Sequence, residues 1–184
     1  GLYYKPGSYR AKNCVNGRRQ IVKFAKEYNI KHEVCGKVVV ATKEEELSRL
    51  DQIFERGKAN GLIGLKKINS KSLKDIEPYV EGLAAIWVPE AGIIDYVKVA
   101  EKFVELIQKI NPLSKIFTNC EVKYFKKNNG CVLQTTRGDF YSKYSIICGG
   151  LQSDRLARKD DIKSDVRIVG FRGDYYHLRD NSKH

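Results

Sequence analysis

Apolar residues recur at helical spacing early in the chain, at Ala11, Cys14, Val15, Ile21, Val22, Ala25 and Tyr28, behind a Ser8 suited to an N-cap. The pattern predicts a helix that tolerates Gly17 in its interior and stops at Asn29. Residues 34–41, with Val38-Val39-Val40 at their centre, predict a buried strand. Thr42-Lys43-Glu44-Glu45 then fits a capping box before a helix with Leu47, Leu50, Ile53 and Phe54 on one face, ending at Gly57 and Asn60-Gly61. Further on, the pattern predicts a strand over 62–68, a short helix over 72–77 stopped by Pro78, and a strand over 83–88 stopped by Pro89. Asp95 is placed to cap a helix whose core face is Val99, Ala100, Phe103, Val104, Leu106, Ile107 and Ile110, closed by Pro112; a strand over 115–118 follows.

After residue 120 the period shortens to two. Runs over 121–125, 131–135 and 140–142 are separated by Asn128-Asn129-Gly130 and Arg137-Gly138-Asp139, which predicts a β-meander. It leads into a buried strand over 145–148 that runs directly into Gly149-Gly150, then a helix over 151–158 and a long final strand over 166–178. Helix, meander and Gly-Gly strand alternate with a second set of strands. Two interleaved domains account for that order, and so does a single antiparallel α+β domain.

Composition narrows the classes. With 42% hydrophobic and 10% aromatic residues in 184, the chain holds enough apolar material for a packed core and too much for a disordered one. Its formal charge of +12 favours anionic partners. The basic residues are nevertheless scattered, the densest groups being Lys66-Lys67, Lys71, Lys74 and Lys126-Lys127, which argues against nucleic acid as the partner. Five cysteines without a C-x-x-C pair predict neither a zinc site nor a disulfide framework, but reduced and mostly buried thiols. His32, His177 and His184 stand at no metal-ligand spacing, so no metal site is expected. No run approaches the ~20 apolar residues of a membrane span, and no signal-peptide pattern opens the chain. The chain begins at Gly1 and has 0 Met, from which further residues upstream are expected.

Candidate chemistry begins at the predicted strand, Gly149-Gly150 and helix start. Glycine lets backbone approach a ligand closely there, and the first N–H groups of a helix face an anion such as a pyrophosphate. A plain strand-to-helix turn also uses glycine, and Ser153 and Asp154 serve equally well as capping residues.

Several segments together resemble one family, in order along nearly the whole chain. They are Gly1-Leu2-Tyr3-Tyr4-Lys5-Pro6-Gly7-Ser8, Cys35-Gly36-Lys37 with Val40-Ala41-Thr42, Gly92-Ile93-Ile94-Asp95-Tyr96, Gly150-Leu151-Gln152-Ser153-Asp154-Arg155 and Phe171-Arg172-Gly173-Asp174-Tyr175-Tyr176. The sequence is similar to the FAD-dependent L-2-hydroxyglutarate dehydrogenases (oxidases) of the D-amino-acid-oxidase-like superfamily. The resemblance implies an α/β (α+β) fold in which part of an FAD-binding domain, made of helices, the β-meander and the strand-Gly-Gly-helix unit (1–31 and 93–160), is interleaved with part of an antiparallel-sheet substrate domain (32–92 and 161–184). It implies oxidation of the C2 hydroxyl of L-2-hydroxyglutarate to 2-oxoglutarate, with hydride passing to FAD and electrons onward to a membrane quinone or to oxygen. An intracellular enzyme is expected, cytoplasmic or peripheral on the inner membrane in a bacterium and mitochondrial in a eukaryote. The basic surface is compatible with docking on an anionic bilayer and equally with plain solvation.

Carried over by position, Val122 meets the adenine side of FAD, and Cys148, Gly149, Gly150, Leu151 and Ser153 lie beside the nucleotide. The substrate is a dianion, and the planar guanidinium of Arg172 is suited to grip a carboxylate in two places, with Tyr3, Tyr4 and Tyr175 as hydroxyl donors. Packing accounts equally well for the tyrosines, and a structural ion pair for Arg172. The chain departs from the family in holding no G-x-G-x-x-G anywhere; that fingerprint, and the segment bearing a flavin-proximal histidine, are expected upstream of Gly1, so no general base is named. Gly149 stands where the family has alanine, Gln152 where it has tyrosine and Gly170 where it has proline; each added glycine costs ~0.5–1 kcal/mol where its conformation is not required. The isolated chain is therefore expected to retain FAD poorly, and a stoichiometric yellow complex would overturn that expectation. A non-catalytic basic module left from such an enzyme, or another hydroxy- or amino-acid oxidase of the superfamily, are the alternatives.

Overall fold

The computed structural model describes residues 1–127, 130–160, 162, 165–177 and 179–182, and the chain divides into two compact units, Gly1–Lys115 and Ile116–His184.

The first unit opens with α1 (Tyr9–Glu27), where the Ser8 hydroxyl accepts the Ala11 N–H at 3.2 Å. The helix ends where Asn29 takes a φ of 53°, a left-handed conformation that asparagine tolerates. After β1 (His32–Glu33) comes β2 (Lys37–Ala41), shorter than the predicted 34–41. The cause is Gly36, whose φ of 79° breaks the extended run while its N–H donates to the Ala91 carbonyl at 2.9 Å. A 3-10 turn, Glu44–Glu46, precedes α2 (Leu47–Ala59). The capping carboxylate is Glu46, not Glu45: its Oε2 accepts the N–H groups of Thr42 at 2.7 Å and Lys43 at 3.2 Å. The tighter turn moves the reach of the cap one residue along the chain.

The strand predicted over 62–68 is reduced to β3 (Lys66–Asn69), because Leu62 and Leu65 are drawn into the packing beside α2 instead of the ladder. Asn69 caps α3 (Ser70–Ile76) through the Ser72 N–H at 2.9 Å, so the helix starts before Ser72. Then follow β4 (Ala84–Val88), β5 (Ile93–Ile94) and α4 (Tyr96–Ile110), the last capped by Asp95 through the Lys98 N–H at 3.0 Å. The antiparallel sheet has the order β2-β4-β3, with Val38 opposite Trp87 and Ile68 opposite Ala85. Its central strand carries the core: Ile86 is fully buried, and Leu2, Ala41, Leu50 and Val88 close around it. A second cluster of Ala25, Ile30 and Val99 joins α1 to α4, with the rings of Phe24 and Phe103 4.8 Å apart. β1 pairs antiparallel with β5 beside it.

The expected core face of α4 is only partly covered. Val99 is buried, but Phe103 and Ile107 are about half exposed and Ile110 is open to solvent, because α1 reaches only one side of the face.

The second unit is built on the predicted meander: β6 (Val122–Lys127), β7 (Cys131–Thr135) and β8 (Gly138–Ser142), in the order β6-β7-β8. Gly138 turns at the tip with a φ of 100°; Asn128 and Asn129 of the other predicted turn lie outside the described residues. Three predicted strands are absent. Residues 115–118 are irregular, and Phe117 packs edge-on against Phe140 of β8 instead of pairing its backbone. Residues 145–148 are irregular and Ile146 is 89% exposed, and residues 166–177 are irregular with Phe171 and Tyr176 in solvent; Leu178 lies outside the described residues. Both runs are apolar enough to be strands, but no described strand pairs with them, and an unpaired strand leaves its N–H and C=O groups unsatisfied. A 3-10 turn at Gly150–Gln152 leads into α5 (Ser153–Lys159). The thiols are free, as expected, yet Cys14, Cys35 and Cys148 are exposed and Cys120 and Cys131 only half-buried: Cys35, Cys120 and Cys148 sit in loops, Cys131 opens β7, and Cys14 lies on an uncovered side of α1.

Candidate functional site

In the first unit, a cavity of about 250 Å³ lies where the N-terminal segment crosses α1 and the ends of β2 and β4. Tyr3 and Tyr4 line it, with Arg18, Lys37, Val88 and Glu90. Glu90 organises the walls. Its Oε1 meets Arg18 Nη2 at 2.5 Å, its Oε2 accepts the Ile63 N–H at 3.0 Å, and Arg18 reaches its carbonyl at 3.4 Å. One carboxylate thus ties α1, the loop before β3 and the exit of β4. Asn60 fixes the N-terminal segment, its amide donating to the carbonyls of Gly1 at 2.6 Å and Tyr4 at 2.9 Å. The Lys37 ammonium stands 5.0 Å from the centre of the Tyr3 ring, a cation–π distance.

A neighbouring cavity of about 430 Å³ is lined by Arg18, Ile21, His32, Val34, Ile94 and Tyr96. His32 Nδ1 is 2.8 Å from the Ile30 carbonyl, which can only accept, so a neutral His32 carries its proton on Nδ1 and leaves Nε2 as the acceptor. Among the described residues no group of three or more metal-ligating side chains occurs.

In the second unit, the Gly149-Gly150 turn is present without the strand expected before it. Gly150 has a φ of 52°, and a Cβ placed on it would meet nothing within 4 Å. Gln152 N–H returns to the Gly149 carbonyl at 2.9 Å and the Ser153 hydroxyl donates to the Gly150 carbonyl at 2.7 Å, so the turn is closed by its own residues. Leu151 and Cys148 are exposed at its side. Val122 lies at the far end of α5, its carbonyl accepting from Lys159 at 3.1 Å. Asp154 joins α5 to the segment leading toward Arg172: its Oδ2 accepts the Ile168 N–H and an Arg158 guanidinium hydrogen, each at 3.3 Å. Partial burial pushes the Asp154 carboxyl up, but the N–H groups of Ile168 and Arg155 and the Arg158 charge outweigh it and hold the carboxyl below its ordinary value. Arg172 and Tyr175 stand in solvent, Arg172 donating from Nε to Asp174 Oδ1 at 2.8 Å.

Of the predicted substrate residues, Tyr3 and Tyr4 share one cavity, while Arg172 and Tyr175 stand in solvent. Of the predicted cofactor residues, Cys148, Gly149, Gly150, Leu151 and Ser153 form one turn, and Val122 belongs to the same unit. Open space over Gly150 fits the close approach of a flat or phosphate-bearing group, so these residues suit one wall of an FAD site. Arg18, Lys37 and Glu90 were missed. Lys37 belongs to the Cys35-Gly36-Lys37 motif, and Arg18 and Glu90 meet across a separation of 72 residues that no local pattern reveals.

The fold is that of flavin oxidases. The structure of the L-alpha-glycerophosphate oxidase from Mycoplasma pneumoniae with FAD bound matches 87% of this chain and 44% of that chain, with a TM-score of 0.70 at 24% identity. The chain belongs to the FAD dependent oxidoreductase family, whose pattern matches residues 1–184. Among curated relatives, an L-2-hydroxyglutarate dehydrogenase from Indibacter alkaliphilus is 44% identical over 181 residues, covering 97% of this chain and 45% of the relative. A mitochondrial L-2-hydroxyglutarate dehydrogenase from Nematostella vectensis is 38% identical over 199 residues, covering 100% of this chain and 43% of the relative. The chain thus spans less than half the length of these relatives. No helix among the described residues is long and apolar enough to cross a membrane.

Proposed function

We propose that this chain is part of a flavin-dependent dehydrogenase that oxidises the C2 hydroxyl of L-2-hydroxyglutarate to 2-oxoglutarate. The observation that carries this reading is the 44% identity, over 97% of the chain, to a relative named for that activity. When bound, FAD supplies the two-electron acceptor for the C2 hydride. The electrons leave to a membrane quinone or, in its place, to oxygen, and the basic chain suits an enzyme held peripherally against an anionic bilayer inside the cell or mitochondrion.

The roles follow from what each residue offers. Gly149 and Gly150, with Cys148, Leu151 and Ser153, let the nucleotide approach the backbone, and Val122 lies on its adenine side. Tyr3 and Tyr4 present hydroxyls to the substrate from the 250 Å³ cavity. Arg172 exchanges its exposed Asp174 partner for a substrate carboxylate, with Tyr175 beside it. Residues 1–31 and 93–160 contribute to the flavin domain and 32–92 and 161–184 to the substrate domain.

The test is turnover with a dye acceptor by a chain that carries the complete flavin domain. L-2-hydroxyglutarate is compared with glycine, L-proline and glycerol 3-phosphate; preference for any of those three refutes the substrate assignment. In the same enzyme, Arg172→Ala raises KM for L-2-hydroxyglutarate by roughly 10–100-fold, the loss expected for a charge-assisted carboxylate contact of about 1.5–3 kcal/mol. Unchanged kinetics remove Arg172 from the site.

A further inference from the structure

The 250 Å³ cavity holds three charged side chains, and two of them cancel. The Glu90 carboxylate is committed on both oxygens, to Arg18 and to the Ile63 N–H. Lys37 is left. No carboxylate among the described residues lies within ion-pair distance of it, and its nearest recorded partner is the face of the Tyr3 ring. Leu2, Val15, Leu62 and Val88 supply apolar walls, while Lys37, Tyr3 and Tyr4 are exposed and open to an anion from solvent. Lys37 is held in place by its neighbours: the left-handed turn at Gly36 ends just before it, and Val88 faces it across the sheet.

The ligand class follows from the donor set. One ammonium and two phenol hydroxyls, on Tyr3 and Tyr4, match the two oxygens of a carboxylate. A phosphate, with more oxygens and more charge, is usually met by several cations or a run of backbone N–H groups. At about 250 Å³ the space is smaller than the ~300–1,000 Å³ that takes a drug-sized molecule, so the ligand is small.

We propose that this cavity is a subsite for one carboxylate of a small organic acid, with Lys37 as its cation and Tyr3 and Tyr4 as orienting donors. The proposal deepens the dehydrogenase reading and rests on it for the identity of the acid, a five-carbon dicarboxylate.

The test uses the 184-residue chain, isotopically labelled for NMR and titrated with glutarate, with inorganic phosphate as the contrasting anion. Glutarate produces saturable shifts at Tyr3, Tyr4 and Lys37. Lys37→Gln weakens its affinity at least tenfold, Lys37→Arg recovers part of the loss, and Tyr4→Phe weakens it by about threefold. The urea midpoint of each variant, read from Trp87 fluorescence, shows that the fold is kept. Glutarate shifts that are absent, or the same in Lys37→Gln, overturn the proposal, as does phosphate binding in preference to glutarate. In the complete flavin enzyme, a Lys37→Gln variant with an unchanged KM refutes the subsite and leaves the oxidation standing. Lys37-dependent glutarate binding with no oxidation of L-2-hydroxyglutarate keeps the subsite and refutes the oxidation.

Discussion

Gly36→Ala tests how the sheet and the cavity are joined. Gly36 has a φ of 79°, in the left-handed region, where an L side chain costs about 1–2 kcal/mol. A Cβ there would also stand 2.8 Å from Trp87 Cζ3 and nearer still to Cζ2 and Cη2. Trp87 lies on the central strand β4 between Val38 and Lys66 and is half-buried, so its ring must give way to the new methyl group at the expense of its own packing. Overpacking of this kind costs about 1–3 kcal/mol, which brings the expected loss to roughly 2–5 kcal/mol. Gly7→Ala separates the two causes. Gly7 has the same φ of 79°, but a Cβ on it meets nothing within 4 Å, so only the backbone cost of about 1–2 kcal/mol applies.

The assay is urea unfolding followed by the fluorescence of Trp87, the 1 tryptophan of the chain, which reports on the Gly1–Lys115 unit alone. With a slope of about 1–3 kcal/mol/M, Gly36→Ala lowers the midpoint by roughly 1–2 M and Gly7→Ala by about half as much. Equal shifts in the two variants would refute the indole clash. If neither variant loses ~0.5 kcal/mol, the left-handed conformations themselves are wrong.

Leu73→Ala removes a fully buried side chain of α3 and costs about 2–5 kcal/mol by the same fluorescence assay; a loss under ~1 kcal/mol would mean that the site collapses around the deletion or that Leu73 is not enclosed. Glu46→Gln tests the cap of α2 through its pH dependence. The Thr42 N–H, the Thr42 hydroxyl and the Lys43 N–H hold the Glu46 carboxyl below its ordinary value, so its stabilising effect is present above the unfolded pKa and is lost as pH falls through the folded one. The native chain is therefore more stable than Glu46→Gln at neutral pH and equal to it in acid; a difference that persists in acid refutes the charge-dependent cap.

The helices were readable because their signals are local. Ser8 meets the N–H of Ala11 and Asp95 that of Lys98, each three residues ahead, so the cap and the apolar stripe lie in one window of sequence. The slip of Glu45 for Glu46 arises because an α-helical first turn and a 3-10 turn share the same polar pattern and differ only in winding. The meander was readable for a related reason: its strands pair with sequence neighbours across short turns. The runs over 145–148 and 166–177 fail by the same logic. Their apolarity states that they are fit to be buried, but a strand also needs an edge to pair with, and nothing in a run of isoleucines and valines names that edge.

The site divides along the same line. Tyr3 and Tyr4 were readable as a motif, but the cavity that gives them a partner requires α1, β2 and β4 to converge, and the Arg18–Glu90 pair that closes its wall is joined only by topology. Cys35-Gly36-Lys37 shows what a motif carries and what it omits. The pattern keeps the three residues together without a reason for the glycine or the lysine. The structure supplies both: the glycine is the residue that passes beneath the Trp87 ring in a left-handed conformation, and the turn it makes leads directly into Lys37, a cavity-lining cation with no carboxylate partner among the described residues. Under the proposed subsite, a substitution at Gly36 that leaves the fold intact shifts the turn that leads into Lys37 and weakens the anion that Lys37 holds.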